Sequence, residues 1–330
     1  MKYYITAYLS ALLLSLLAGY IGLPVLKKLK TAQTINELGP QTHLTKQGSL
    51  TMGGVGVILS GVIAGLSFGF YKPNDHGLPV LFLAGCTLCF ALIGFLDDYL
   101  KVVKHRSVGL SVKQKLIPQI VAALAFALVA YFDKSIGSSV ALPFTETQLE
   151  LGIFYIPIMA FVIVAVDNSA NILDGLDGLL SGNASIALLA IGAYTIFTGA
   201  RSGNGSLLNA GTFILCMSAA VFGFLKSNTH PAQVFLGDVG SLGIGGALAG
   251  AAIVSKGALL LPFCCITMLI SSLSDILQVC YMKRHNGRKL MRMAPLHHHL
   301  ELGGMPETRV VNLYNIITLI GSAVALILFA

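Results

Sequence analysis

The sequence predicts an all-α integral membrane protein with about ten transmembrane helices. Only 11% of the 330 residues are charged, whereas soluble domains carry about 25%, and the mean hydropathy is +0.80. Apolar segments that approach the roughly 20 residues needed to cross a bilayer recur along the chain. They lack the alternation of membrane β-strands, so closed helices are the expected way to satisfy backbone groups in lipid. We predict one polytopic domain over residues 1–330.

Ten candidate spans follow one another along the chain. The first is predicted to be a retained helix rather than a cleaved signal peptide, because its apolar stretch exceeds a signal h-region and its lysines follow it. The fifth and eighth are the shortest. Asp133–Glu150, rich in Ser, Gly and Pro, predicts a short hairpin or turn. The spans are Tyr4–Val25, Met52–Phe70, Pro79–Leu96, Leu116–Phe132, Leu151–Val166, Leu179–Thr198, Leu207–Leu225, Gly240–Val254, Ala258–Met282 and Val310–Ala330.

The distribution of basic residues predicts the topology. Of the 21 lysines and arginines, 16 lie in the connections that follow odd-numbered spans. Cytoplasmic connections carry such an excess, so both termini are predicted outside the cytoplasm. The basic residues behind the net charge of +7 are then expected to orient the protein in the membrane and to contact anionic headgroups and phosphates. No nucleic-acid partner is predicted. The five basic residues on the other face are Lys2, Lys72, Lys134, Arg201 and Lys256.

Three acidic clusters fall on the predicted cytoplasmic face. Asp97 and Asp98 close the third span, Asp174 and Asp177 lie between the fifth and sixth spans, and Asp238 opens the eighth. Carboxylates are costly near hydrocarbon and usually mark function there. Adjacent carboxylates repel one another unless they share a cation or a proton. Mg²⁺ prefers oxygen ligands completed by water and phosphate oxygens, so these clusters predict a magnesium site that binds a phosphorylated substrate.

Structural alternatives remain for each cluster. The Asp97 and Asp98 pair could be an interfacial stop signal, although stop signals are normally basic. The segment with Asp174 and Asp177 could be a structural turn. Asp238 could cap backbone amides at a helix start. The location of all three clusters on one face favours the functional interpretation.

The last cytoplasmic connection and the ninth span carry further polar side chains. His297, His298 and His299 are consecutive, so their side chains diverge and do not form a standard zinc spacing. Imidazoles that donate to a phosphate or stack near a base fit equally well. The ninth span places Ser271, Ser274, Asp275 and Gln278 along one stripe. This stripe predicts a helix that faces a wet cavity or the bundle interior.

Five motifs follow one another along the chain: Gly39–Gly54, Asp97–Lys101, Asn168–Leu179, Phe235–Ser241 and Met293–Glu301. In this order they resemble the bacterial phospho-N-acetylmuramoyl-pentapeptide-transferases, a family within the polyprenyl-phosphate sugar-1-phosphate transferases. Each motif alone is weak, but the ordered set with its three histidines is specific and spans nearly the whole chain. The resemblance implies Mg²⁺-dependent transfer of phospho-MurNAc-pentapeptide from UDP-MurNAc-pentapeptide to undecaprenyl phosphate. The implied products are lipid I and UMP, formed at the cytoplasmic face of a bacterial cell membrane.

The resemblance also implies roles for individual residues. Asp238 is implied as a catalytic residue and the Mg²⁺ ligand, Asp97 or Asp98 as the group that deprotonates or orients the lipid phosphate, and His298 as a further catalytic residue. The family is further expected to form a homodimer and to be a target of nucleoside antibiotics. The implied substrate-binding residues are Lys46, Thr51, Lys101, Lys113, Asn171, Asp174, Asp177, Phe235, Gln278, His297 and His299.

One departure from the family pattern and two rival functions remain. Ser49-Leu50 stands where the family commonly has Thr-Pro, which alters the expected rigidity of the first connection. A related transferase that uses UDP-GlcNAc is the enzyme rival, but its histidine arrangement in the last connection differs. An ion-coupled transporter would place acids at mid-span, whereas here most lie at span ends and Asp275 is the exception.

Overall fold

The computed structural model describes residues 1–29, 50–71, 76–102, 109–145 and 147–329. This part of the chain is almost entirely helical, with one antiparallel hairpin between the fourth and fifth helices. The helices are α1 (Lys2–Lys28), α2 (Gly54–Phe68), α3 (Leu78–Val102), α4 (Val112–Phe132), α5 (Tyr155–Leu173), α6 (Leu179–Ser202), α7 (Gly205–Asn228), α8 (Gly237–Val254), α9 (Leu261–Cys264), α10 (Ile266–Arg284), α11 (Leu296–Leu302) and α12 (Glu307–Phe329). The strands are β1 (Ser139–Ala141) and β2 (Gln148–Glu150), and 3₁₀ turns cover Gly152–Phe154 and Ala258–Leu260.

Within these ranges, eight helices are long and apolar enough to cross a membrane, or nine if the bent pair α9–α10 is one span. The predicted all-α membrane fold is confirmed. The fifth and eighth spans, which looked short in sequence, are complete spans of 22 and 18 residues over Gly152–Leu173 and Gly237–Val254. The predicted second span, Met52–Phe70, is the shorter apolar helix α2. The hairpin β1–β2 confirms the turn predicted within Asp133–Glu150.

The ninth predicted span is not one helix. The chain bends by 81° between Ala258–Cys264 and Ile266–Arg284, so the prediction of a single helix over Ala258–Met282 was wrong. A buried polar network holds the start of α10. The Thr267 hydroxyl donates to the side-chain oxygen Asn183 Oδ1 at 2.5 Å and lies 2.9 Å from the Thr318 hydroxyl. Hydropathy does not reveal such a bend, because the two helices together are long and apolar enough to pass as one span.

Helix α8 lies at the centre of the bundle and positions the acidic residues. Every residue of α8 from Val239 to its end is buried. A side chain at Gly94 of α3 would overlap the carbonyl oxygen of Asp238, and one at Gly54 of α2 would overlap Gly240. Because these glycines have no side chain, the backbones of α2, α3 and α8 approach one another closely at the start of α8. This close contact brings Asp238 to the end of α3, where Asp97 and Asp98 lie.

Candidate active site

Three carboxylates and two lysines meet where α3, α4 and α8 come together. We call Asp97, Asp98 and Asp238 the carboxylate cluster. Lys101 Nζ lies 2.5 Å from Asp97 Oδ2 and 2.9 Å from Asp238 Oδ2. Lys115, in the first turn of α4, lies 3.3 Å from the same Asp238 oxygen. The two ammonium groups offset much of the repulsion among the carboxylates, which residues far apart in the chain bring together.

The two adjacent aspartates have different environments. Successive helical residues point about 100° apart, so Asp97 and Asp98 face different neighbours. Asp97 pairs with Lys101 and accepts a hydrogen bond from the Leu110 amide. Asp98 accepts from the Val239 amide at 3.0 Å and is buried. Asp97 therefore faces the lysine side of the cluster, whereas Asp98 is held against the start of α8.

A glycine turn makes room for Asp98. Gly237 has φ +72°, a left-handed conformation that glycine adopts at little cost. A Cβ at this position would lie 2.5 Å from Asp98 Oδ2 and 2.9 Å from Thr51 Oγ1. The glycine therefore allows both side chains to approach the backbone immediately before Asp238.

Asn171 connects the lysine side of the cluster to Asp238. Its amide nitrogen donates to Asp238 Oδ1 at 2.7 Å and to Ser241 Oγ at 2.8 Å. Its carbonyl oxygen accepts from Lys115 Nζ at 3.0 Å. Both oxygens of Asp238 are thus oriented by protein donors, and a substrate group that enters the cluster meets side chains already held in place.

Lys115 is the cluster residue that the sequence assignment missed. The predicted substrate ligand on α4 was Lys113, whose side chain is exposed. A reciprocal hydrogen-bond pair between Ser111 and Gln114 fixes the start of α4, and this Ser-x-x-Gln pattern is visible in the sequence. Which lysine faces inward depends on the face of α4 that packs against α5, and the sequence does not show that tertiary contact.

Asp174 lies at the end of α5, close enough to the carboxylate cluster to interact electrostatically with it. Burial raises the pKa of Asp174 to about 8, and the charges of Asp238, Asp98 and Asp177 act in the same direction. Asp174 therefore holds a proton at neutral pH unless a cation or a donor enters the site.

The neighbouring Asp177 turns toward the connection between α7 and α8. Its side chain is buried and accepts from His230 Nδ1 at 3.1 Å and from the Ala232 amide at 3.0 Å. Asp174 and Asp177 thus contribute to different surroundings. The three-residue spacing in the sequence did not distinguish them.

The histidine run, His297–His299, lies on α11 and packs against the segment Asp174–Asp177, which we call the acidic loop. His297 is fully buried, with its ring 4.4 Å from that of His298. A Cβ on Gly175 would lie 2.6 Å from His297 Nε2 and 3.1 Å from His298 Nε2. His299 Nδ1 accepts from the Arg292 amide at 3.1 Å. His297 and His298 therefore lie together against Gly175, whereas His299 faces Arg292.

The remaining predicted ligands differ in placement. The Phe235 amide donates to the Leu50 carbonyl at 2.8 Å, and this pairing holds the buried Thr51 beside Gly237. Gln278 is bound to the last connection, where its carbonyl oxygen accepts from the Met291 amide at 2.9 Å and its nitrogen donates to the Met291 carbonyl at 3.1 Å. These bonds pair Gln278 with the backbone of Met291, and its role in substrate binding stays a prediction. Lys46 lies outside the described residues.

Within the part of the chain that the structure describes, two groups of side chains could hold a divalent cation. The carboxylate cluster with Asn171 supplies the hard oxygen donors that Mg²⁺ prefers. In a second group, Asp177, His230 and Glu307 place their ligating atoms within 4.8 Å of one another. The donor chemistry of the first group fits magnesium, whereas the imidazole of the second group is typical of transition metals.

The fold and the site define a polytopic membrane protein whose polar cluster suits phosphate-bearing substrates. The profile described as glycosyl transferase family 4 matches residues 80–256. Over 323 residues the chain is 38% identical to the phospho-N-acetylmuramoyl-pentapeptide-transferase of Desulfitobacterium hafniense, covering 97% of this chain and 95% of that protein. The enzyme of the same name from Bacillus licheniformis is 43% identical over 299 residues, 91% of this chain and 89% of the relative. The chain belongs to the family of phospho-N-acetylmuramoyl-pentapeptide-transferases, as its motifs indicated.

Proposed function

We propose that this protein transfers phospho-MurNAc-pentapeptide from UDP-MurNAc-pentapeptide to undecaprenyl phosphate at the cytoplasmic face of a bacterial cell membrane. The products are lipid I and UMP, in the first membrane step of peptidoglycan synthesis. The observation that carries the proposal is the carboxylate cluster with Lys101 and Lys115 at the ends of apolar helices. A lipid phosphate and a soluble nucleotide can meet only at such an interface. Relatives that match nearly the whole chain carry the same activity in their names.

The lysines support binding and charge stabilisation. Both substrates are anionic, so their approach requires positive charge. Lys101 and Lys115 now bridge carboxylates, and their ammonium groups would contact the diphosphate oxygens once the nucleotide enters. Charge that spreads over the transferred phosphoryl group is stabilised by donors already in place. Mg²⁺, held by Asp238 and its neighbours, would act as a Lewis acid on the same phosphates.

Transfer is proposed to be a direct attack by the lipid phosphate. Its second pKa is about 6, so it is largely dianionic and nucleophilic at neutral pH. An oxygen of undecaprenyl phosphate attacks the phosphorus that bears the sugar, and the bond to the bridging oxygen breaks as UMP leaves. Asp97 or Asp98 orients the acceptor and takes a proton from its monoanionic fraction. Because the groups are prepositioned, proximity supplies much of the rate gain.

A covalent aspartyl-phosphate route is the alternative mechanism. The two routes differ when the acceptor lipid is absent. Direct transfer predicts no exchange of labelled UMP into UDP-MurNAc-pentapeptide in rigorously lipid-free protein. Exchange that disappears on replacing Asp97 or Asp98 by Asn would establish the two-step route instead.

The proposed function is tested by Mg²⁺-dependent release of UMP in detergent with undecaprenyl phosphate. UDP-MurNAc-pentapeptide should support release, whereas UDP-GlcNAc should not. Preference for UDP-GlcNAc would assign the chain to the rival transferase reaction, and no release from either nucleotide would remove the proposal. We also propose that the protein forms a homodimer, which light scattering would measure. Nucleoside antibiotics are proposed to inhibit it, which the same UMP-release assay would measure.

Asp238→Asn provides the residue-level test of the metal site. The substitution keeps the shape of the side chain but removes its charge, so kcat should fall by orders of magnitude while the melting temperature changes little. Glu150→Gln on the exposed strand β2 makes the same chemical change away from the cluster and should leave kcat unaltered. Near-normal turnover of Asp238→Asn at saturating Mg²⁺ would exclude Asp238 as the metal ligand.

A further inference from the structure

A second polar group joins three connections at one end of the helix bundle. Asp177 lies between α5 and α6, His230 between α7 and α8, and Glu307 in the first turn of α12. His230 Nδ1 lies 3.1 Å from Asp177 Oδ2 and 3.4 Å from Glu307 Oε2. The Asp177 amide donates to Glu307 Oε1 at 2.7 Å. We call these three residues the Asp177 clamp.

The clamp acts on both the side chain and the backbone of Asp177. The buried carboxylate accepts from His230 and from the Ala232 amide, which offsets the cost of removing it from water. Glu307 holds the amide of the same residue. A single Nδ1–H, present in one neutral tautomer of His230, can be shared between the two carboxylates. The arrangement therefore requires no charged imidazole.

The clamp lies between the parts of the proposed active site. Asp177 is three residues from Asp174, and Gly175 between them packs against His297 and His298. His230 precedes the segment that leads through Phe235 to Asp238, and α12 follows the helix that carries the histidine run. A displacement of Asp177 would therefore move the acidic loop relative to both the histidines and the carboxylate cluster.

We propose that His230 and Glu307 are positioning residues that hold Asp177, and with it the acidic loop, in the geometry that binds the sugar nucleotide. The inference rests on the proposed function and assigns to that site two residues not singled out by the sequence motifs. All three clamp groups already bond one another or backbone amides in the described structure. A hydrogen bond from His230 that the two carboxylates share therefore explains why the three side chains lie so close together without a metal ion.

The test compares His230→Phe, which removes the donor, with His230→Asn, whose amide nitrogen can occupy the place of Nδ1. His230→Phe should raise KM for UDP-MurNAc-pentapeptide by about tenfold and leave KM for undecaprenyl phosphate unchanged. His230→Asn should recover most of the loss, and Glu307→Ala should resemble His230→Phe. Because both residues act through Asp177, the double variant should lose less than the sum of the single losses. His285→Phe, at an exposed histidine of the last connection, is the matched control.

The outcomes separate the clamp from simple loss of structure. Equal effects on both KM values, a large fall in melting temperature, or failure of His230→Asn to recover binding would overturn the proposal. Stoichiometric metal in the wild type that is lost in His230→Phe would replace the shared proton by a cation and also overturn it. If the wild type releases no UMP, the proposed function fails separately. Faster hydrogen exchange of the Asp177 amide in Glu307→Ala would still establish the clamp, and unchanged exchange would remove it.

Discussion

At the residue scale, the two lysines in the first turn of α4 have different contacts. Lys115 reaches Asp238 and Asn171, whereas Lys113 is exposed. Lys115→Met should lower kcat/KM by about 100-fold, because losing two charge-assisted contacts costs about 3 kcal/mol. Lys113→Met removes the same charge two residues away and should stay within about twofold, because surface charges contribute little. Steady-state UMP release checks both variants, and equal losses would contradict the assignment of Lys115.

Asp174 is expected to make stability depend on pH. Its pKa is about 8 in the folded protein, whereas the pKa of an aspartate in the unfolded chain is about 4. Between these values the folded state retains a proton that the unfolded chain has released, so the free energy of unfolding falls as pH rises. Asp174→Asn cannot titrate, so the variant should be increasingly more stable than the wild type from pH 5 to pH 8.

The Asp174 prediction is measured by melting temperature in detergent without divalent cations. Added Mg²⁺ that binds near Asp174 should reduce the difference at high pH, because a cation favours the charged carboxylate. Melting curves of wild type and variant that stay parallel from pH 5 to pH 8 would show that Asp174 does not retain its proton.

The sequence identified the acidic residues but not all of their partners. The convergence of Asp97 and Asp238 was predicted because both lie at span ends on one face. The choice of Lys115 over Lys113 depends on which face of α4 packs against α5. The bonds of Gln278 to Met291 depend on the path of the last connection. Local patterns contain neither kind of information, because each depends on tertiary contacts.

At the element scale, the close packing of α3 on α8 positions the cluster. A side chain at Gly94 would overlap the Asp238 carbonyl oxygen, whereas a Cβ at Gly85 of the same helix would lie 3.5 Å from the Phe126 ring. Gly94→Ala should destabilise the protein by about 1–3 kcal/mol through overpacking and lower kcat by moving Asp238. Gly85→Ala should be nearly neutral in melting temperature and turnover. Similar losses in both variants would contradict a specific role of the α3–α8 contact, because helix propensity alone favours alanine over glycine at both positions.

The element boundaries show what hydropathy can and cannot predict. The long apolar segments of α3, α6 and α7 are recovered as helices because length and composition alone define a span. The 81° bend before α10 escapes that criterion, since the polar contacts of Thr267 come from α6 and α12. Asn183 and Thr318 are distant in sequence, so their meeting is a property of the assembled bundle.

At the scale of the whole molecule, the site exists only in the assembled bundle. Lys101, Lys115, Asn171 and Asp238 come from four helices, and the contacts among them span up to 137 residues of chain. No single segment contains the cluster. The motifs that lie within the described residues are therefore spatial neighbours whose spacing reflects the helices between them, and the family relationship extends along nearly the whole chain.

The topology of the whole molecule yields the last prediction. The charge distribution predicts that the connection after α10 lies in the cytoplasm and that the end of α6 lies outside. In a variant without its six native cysteines, Ser202→Cys should react with a membrane-impermeant maleimide in intact cells. Arg288→Cys should react only after the membrane is opened. Both positions are exposed, so accessibility within the protein does not confound the comparison. Because α11 follows Arg288 and packs on Gly175 beside Asp174, this labelling pattern would also place the active site inside the cell, and the reverse pattern would place it outside.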